Sequence, residues 1–419
     1  MTGKTISEKI LSAKSGVDAR AGDVVICKVD CALGTDGSTP MAIDYFAAMG
    51  GTTIFDPRKI VFALDHYAPP ATPKSAKYHE IMREFAAARG IFVWDVGEGI
   101  GHQLIVESGR ATPGALVVGA DSHAVTYGAL NCFGTGIGSS DLAAIMISGR
   151  IWLRVPETIR VALTGELPRG VYPKDVALHL ARELGADGAS YKAIEFCGPG
   201  VASLDLEDRL VLSNLTVEMG AKSGVFAADE KTFEYLIGRA IGPVEPAFSD
   251  ADARFACEIT IALDKLSPQV ALPHFVDNVV PAGDAHGTAV QMVYLGTCTG
   301  GRVRDFHQAR DVICAAGGVA KDVQMVVTPA SREVLETIER DGTLADFISF
   351  GATIGTPGCG SCCGTCGTIP GDGVNVISTA NRNFKGRMGN SNAAIYLASP
   401  ASCAAAAVRG AIIDPREIS

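Results

Sequence analysis

Cys298 lies in the run LGTCTGG, and Cys359 and Cys362 lie in GCGSC, so two glycine-rich turns offer three thiolates. Soft sulfur ligands select zinc or iron–sulfur clusters. A structural zinc site closes with four ligands, whereas a cluster held by three leaves one iron open to an incoming group. Cys363 and Cys366 follow closely, and CGSCCGTC could complete a four-thiolate zinc site by itself. Four ligands in so short a stretch leave little chain to wrap a tetrahedral ion. The spacing Cys359-x-x-Cys362 also suits a redox pair or two buried thiols. The thiols favour a cluster, with zinc as the open alternative.

Carboxylates and imidazoles form a second set. Asp65 precedes His66, Asp121 stands two residues before His123, and His102 lies in a GIGHQ turn. One His beside one Asp is usually a satisfied structural pair. Three histidines after three apolar runs read better as chemistry, because a carboxylate-braced imidazole is a tunable acid that can protonate a leaving hydroxyl. Arg382 and Arg387 in NRNFKGR suit bidentate capture of carboxylates, although alone they would read as a solvated basic turn. Gly134-x-Gly136-x-Gly138-Ser-Ser-Asp matches neither the dinucleotide fingerprint nor the P-loop, and reads as tight packing near a buried ligand. His79, His179, His274, His286 and His307 take the default reading of surface or core residues.

These residues need positioning. KIVFALDH, GALVVGADSH, MVYLGTC and NVISTANRNF are apolar runs that stop in reactive residues, and IFVWDVGEGIGH runs into His102. In open α/β sheets, ligands bind beyond the carboxyl ends of strands, so several sheets are expected to converge on one cleft. Helical patterns over 75–90, 173–184 and 331–342 alternate with these runs, with Pro173 and Ser331 near helix starts and Gly90 at a helix end. The expected class is α/β with mostly parallel sheets. Proline-containing seams near Val155–Pro156 and Ser267–Pro273 suggest three units, 1–155, 156–268 and 269–419.

Composition narrows the field. The chain has 419 residues, 47% hydrophobic, enough for a large core, and a net charge of −10 without a basic run. Nucleic acid and anionic membrane are therefore excluded as expected partners. The first residues have no apolar signal core, and no apolar run reaches the ~18 residues that span a bilayer. Twelve cysteines in a chain this long do not resemble a small disulfide scaffold. A reduced, cytoplasmic protein is expected.

Taken in order, DSH at Asp121–His123, TCTGG around Cys298, GCGSC around Cys359 and Cys362, and NRNFKGRMG at 381–389 resemble the aconitase superfamily. More narrowly, they resemble the large subunits of the two-subunit 3-isopropylmalate dehydratase group, across essentially the whole chain. The resemblance implies a three-domain α/β/α assembly around a central [4Fe–4S] cluster with one labile iron, held by Cys298, Cys359 and Cys362. It implies acid–base pairs Asp65–His66, His102–Asp121 and His123–Glu218, the last through a looser match in SNLTVEMGA. Asn214 and Asn381 would hydrogen-bond near the cluster, and Ser122, Arg382 and Arg387 would hold substrate carboxylates.

The swivelling fourth domain of single-chain relatives is missing, so the resemblance implies a separate small subunit. The implied activity is a hydro-lyase acting on a small hydroxy di- or tricarboxylic acid. The default substrate is of the 3-isopropylmalate type, with homoaconitate, citraconate or 2-methylmalate, 2,3-dimethylmalate and maleate as alternatives. A non-catalytic metal-binding or regulatory protein is the rival from another class. The chain departs from the family pattern at Gly300 (usually Asn), Ser361 (often Pro), Cys363 (often Leu) and Thr35 (usually Gln or His in the first substrate-contacting loop), which bears on substrate more than on chemistry.

Overall fold

The computed structural model describes residues 3–418. Three sheets draw their strands from successive stretches of chain. The first has five parallel strands in the spatial order Phe92–Trp94, Ile60–Ala63, Cys31–Thr35, Leu116–Gly119 and Phe133–Gly136. Its central strands are buried along their whole length, as expected when both faces are covered. The second sheet is parallel, in the order Ser223–Phe226, Ala193–Cys197, Thr158–Thr164 and Cys257–Ala262. The third has seven strands between 269 and 398. Met292–Leu295, Gln324–Val327, Thr353–Ile354, Asn375–Ser378 and Ala394–Ala398 run parallel, and an antiparallel pair, Gln269–Ala271 and Val279–Pro281, closes one edge. A separate antiparallel ribbon joins Val24–Lys28 to Arg150–Arg154.

Local signals explain the helices. Pro173 opens the helix Pro173–Leu184, whose first turn Asp175 closes onto the Tyr172 amide at 2.8 Å. Ser331 caps the helix Arg332–Arg340 through the Val334 amide at 3.1 Å. The helix expected from Ser75 begins at Pro73, because Thr72 and Ser75 exchange bonds across the first turn, and it ends at Gly90 with φ 69°. His102 is a correction of detail. It stands in the first turn of a short helix, Gly101–Glu107, and not in an irregular turn. The Gly101 amide donates to Asp65 Oδ2 at 2.8 Å, which pins that helix start to the neighbouring strand end.

Two close approaches of the backbone need glycine, one between the first and third sheets' stretches and one within the first. A Cβ at Gly99 (φ 139°) would sit 2.6 Å from the Ala330 carbonyl oxygen and from Ser331 Cα, so only glycine lets this segment bridge to Ser331 of the third unit. A Cβ at Gly136 would meet the Asp121 oxygen and Ser122 Cα at 2.9 Å, so the glycine run packs directly under the DSH turn. No described helix is long and apolar enough to cross a membrane.

Candidate active site

Carboxyl ends of strands in the first and third sheets face one cavity. Its lining comprises His66, Ile100, His102, Asp121, His123, Thr297, Cys298, Cys359, Cys362, Asn381, Arg382 and Arg387. The first sheet contributes the residues after three of its strands and the third contributes the cysteines and the 381–387 loop, while Asn214 and Glu218, from the helix and turn over 206–219, contact the lining residues Cys298 and His123 from behind.

The imidazoles form one connected group. His66 Nδ1 lies 2.7 Å from Asp65 Oδ1, His102 Nε2 lies 2.8 Å from Asp121 Oδ1, and His123 Nε2 lies 2.8 Å from Glu218 Oε1. Asp121 also accepts from the His123 amide at 2.9 Å, and its other oxygen stands 3.5 Å from His66 Nε2. Burial works against charge on His66, but the carboxylates of Asp65 and Asp121 outweigh it and hold the imidazole well above its ordinary range. His123 is raised in the same way by Asp121 and Glu218, with Arg382 opposing. Asp121 is held well below the ordinary carboxylate range despite burial, by hydrogen bonds from His102, His123 and His66. Burial pushes the Tyr127 phenol well up, so it keeps its proton, and its hydroxyl pairs with His102 Nδ1 at 3.1 Å. The tautomer in which Tyr127 donates carries the His102 proton on Nε2, facing Asp121.

Arg382 links two of the other groups. Its Nε donates to Glu218 at 2.9 Å and its Nη2 to Ser122 Oγ at 2.9 Å, fixing the guanidinium at the cavity wall. Arg387 Nη2 approaches Cys362 Sγ at 3.5 Å.

The sulfurs are dressed by amides. Asn214 Nδ2 donates to Cys298 Sγ at 3.2 Å and Asn381 Nδ2 at 3.3 Å, and the two amides are joined at 2.7 Å. The Cys362 thiol faces Asn381 Oδ1 at 3.4 Å. A hydrogen bond from Cys359 and the Arg387 guanidinium hold Cys362 well below the usual thiol range against the cost of burial. Among the described residues, two His/Asp groups bring their ligand atoms within 4.8 Å of one another, and neither contains a cysteine. One tetrahedral zinc, with 2.3 Å bonds to sulfur, would hold its thiolates about 3.8 Å apart. The three cavity-lining thiols do not form so compact a group, although Cys359 and Cys362 lie within hydrogen-bond reach of each other. Cys363 and Cys366 lie against the His66 carbonyl oxygen, at 3.6 and 3.4 Å, and Cys363 also reaches the Cys359 thiol.

Thr35 does not join the cavity. It is buried, and its hydroxyl pairs with Ser38 Oγ at 3.2 Å. Four contributors escaped the sequence reading. Asp36 accepts from the His66 and Tyr67 amides at 2.9 and 3.0 Å and pairs with His79 Nε2 at 2.8 Å, so His79 is more than core filling. Asp36 ends a strand just as Asp65 does, and that signal could have found it. Arg302 is buried and ties the Cys298 carbonyl to Gln103 Oε1, at 2.6 and 2.9 Å. Lys174, which burial lowers to about 8, donates to the Thr379 and Ala380 carbonyls just before Asn381. Tyr127 is the fourth, and nothing in its apolar surroundings in the sequence marks it.

A family model described as the aconitase family (aconitate hydratase) matches residues 8–288 and 282–410, nearly the whole chain. The chain belongs to the aconitase family. Membership makes it a hydro-lyase and implies an iron–sulfur cluster, which the soft-ligand chemistry of three cavity-lining thiols fits. The 3-isopropylmalate dehydratase large subunit 1 of Methanopyrus kandleri is 47% identical over 415 residues, covering 99% of each chain. The homoaconitase large subunit of Thermus thermophilus is 44% identical, covering 99% of this chain and 98% of that one. The aconitase X structure from Thermococcus kodakaraensis in its holo form shares the fold, with a TM-score of 0.51 over 90% of this chain and 88% of that one at 13% identity.

Proposed function

We propose that this chain is the cluster-bearing large subunit of a two-subunit hydro-lyase that removes and re-adds water on a 3-isopropylmalate-type hydroxy acid. The observation that carries the reading is the cavity in which carboxylate-paired imidazoles, a fixed arginine and amide-dressed thiols meet. Homoaconitate is the second reading, favoured by relatives of nearly equal identity that bear that name. The units 1–155, 156–268 and 269–419 are taken as the three domains, in keeping with sheets that each draw on one stretch.

Cys298, Cys359 and Cys362 would hold the cluster. When bound, a [4Fe–4S] group with one labile iron supplies Lewis acidity toward a leaving hydroxyl. The protein supplies the rest. Arg382 and Arg387 capture substrate carboxylates, with Ser122 holding Arg382 in place. His66, His102 and His123 carry the protons, each steadied by its own carboxylate, so that the departing hydroxyl leaves as water. Asn214 and Asn381 donate to Cys298 and spread its negative charge. The base that removes the carbon-bound proton is assigned to a separate small subunit.

The test is anaerobic reconstitution with iron and sulfide, with and without a candidate small subunit, followed by a screen of unsaturated di- and tricarboxylic acids. Hydration should require both subunits. Full activity of this chain alone would refute the divided site, and zinc in place of iron and sulfide would refute the cluster.

A further inference from the structure

A second cavity lies at the opposite end of the first sheet. Asp30, Lys59 and Ala115 line it, and each immediately precedes a strand whose far end carries Asp36, Asp65–His66 or Asp121–His123. Strands of four or five residues span about 15 Å, so the two cavities sit on opposite edges of one sheet. This one measures about 630 Å³, within the ordinary range of small-molecule sites.

Its charges are arranged unevenly. Lys14 is paired with Asp30 at 2.8 Å, and Arg58 with Asp56 through two 3.0 Å bonds. Lys59 and Arg110 have no carboxylate partner among the described residues. The Lys59 ammonium reaches only the Val29 carbonyl, at 3.4 Å, and Arg110 Nη1 reaches only the Arg58 carbonyl, at 3.1 Å. Arg110 Nε is buried with nothing to accept its proton. Two cations held only by backbone carbonyls leave donors that an anion in the cavity would pair with charge-assisted hydrogen bonds. Both cations act on the Cys31 thiol at the cavity wall: burial pushes that thiol up to about 12, while Arg110 and Lys59 pull the other way.

The remaining walls are apolar. Phe92, Pro113, Ile241 and Pro243 offer carbon surface, and Phe92 and Ile241 are more than half exposed. Glu245 on the same lining leaves four cationic residues against three anionic ones, a single positive charge. That balance suits a monoanion better than a phosphate dianion.

We propose that this cavity is a second small-molecule site that takes an aliphatic monocarboxylate, its carboxylate on Lys59 and Arg110 and its hydrocarbon against Phe92, Pro113, Ile241 and Pro243. The site is separate from the carboxylate capture assigned to Arg382 and Arg387.

Hexanoate titrated into the full chain, read by calorimetry, tests it. One hexanoate should bind per chain, and hexan-1-ol, with the same carbon chain and no charge, should bind at least tenfold more weakly. Lys59→Met and Arg110→Met should each weaken hexanoate at least tenfold with unchanged circular dichroism. Lys59→Met carries the test if the arginine variant misfolds, since Lys59 makes a single long contact. Arg382→Gln should leave hexanoate affinity unchanged. Absence of binding in the millimolar range, equal binding of the alcohol, affinity indifferent to Lys59→Met, or affinity lost in Arg382→Gln would each overturn the proposal.

Discussion

Replacing Glu218 with Gln keeps the shape of the side chain and removes its charge. Glu218 is 8% exposed at its side chain and touches two cavity residues, His123 at 2.8 Å and Arg382 at 2.9 Å. The glutamine oxygen can still accept from one of them, so the loss is mainly the charge-assisted part of the contact. Hydrogen bonds to charged groups are worth roughly 1.5–3 kcal/mol. If that energy holds the protonated His123 ready for the leaving hydroxyl, its loss lowers turnover by about 10- to 150-fold. The sign with pH follows. Glu218 helps to hold His123 above its ordinary range, so its removal brings the imidazole down and moves the alkaline fall in activity to lower pH. The assay is anaerobic hydration by the reconstituted complex, followed through loss of the conjugated double bond across a pH series, with iron and sulfide measured on the same sample. Full turnover with an unmoved alkaline limb, at unchanged iron content, would refute the pairing of Glu218 with a working His123.

Cys359→Ser should abolish incorporation of iron and sulfide, whereas Cys363→Ser should keep both, because Cys363 points at the His66 carbonyl; elemental analysis after reconstitution separates them. Gly300→Ala should cost about 1–3 kcal/mol by overpacking, since the new Cβ would stand 2.4 Å from Thr379 Cβ, and a lowered urea midpoint reads it. Burial raises Glu107 from 4.5 to about 7, so its neutral form stabilises the fold fully below pH 4.5, and that stability is lost as pH rises through 7. Glu107→Gln should therefore remove up to about 3 kcal/mol of stability change between pH 4.5 and 8, seen as a flatter series of urea midpoints.

Local chemistry was legible in the sequence wherever it is written in adjacent residues. The helix over 173–184 announced itself through Pro173 and the periodic apolar residues after it, and Ser331 marked its helix by a side chain that can cap. Strand ends were legible because an apolar run that stops at Asp or Cys leaves few other readings. What could not be read was pairing across the chain. His123 and Glu218 are 95 residues apart, and Arg382 and Ser122 are 260 apart. No local propensity encodes such contacts, and only resemblance to a family suggested the first of them. Lys174 and Arg302 were missed for a related reason. They act on backbone carbonyls, and a carbonyl carries no sequence signature. Thr35 stayed out of the cavity because its hydroxyl found Ser38 one turn away.

One carboxylate, that of Asp121, has three imidazole rings leaning on it. Asp65 and Glu218 brace two of those rings as well, so a proton gained by His66 or His123 is felt by the other through the shared Asp121. Removal and re-addition of water would then draw on the same linked hydrogen ions.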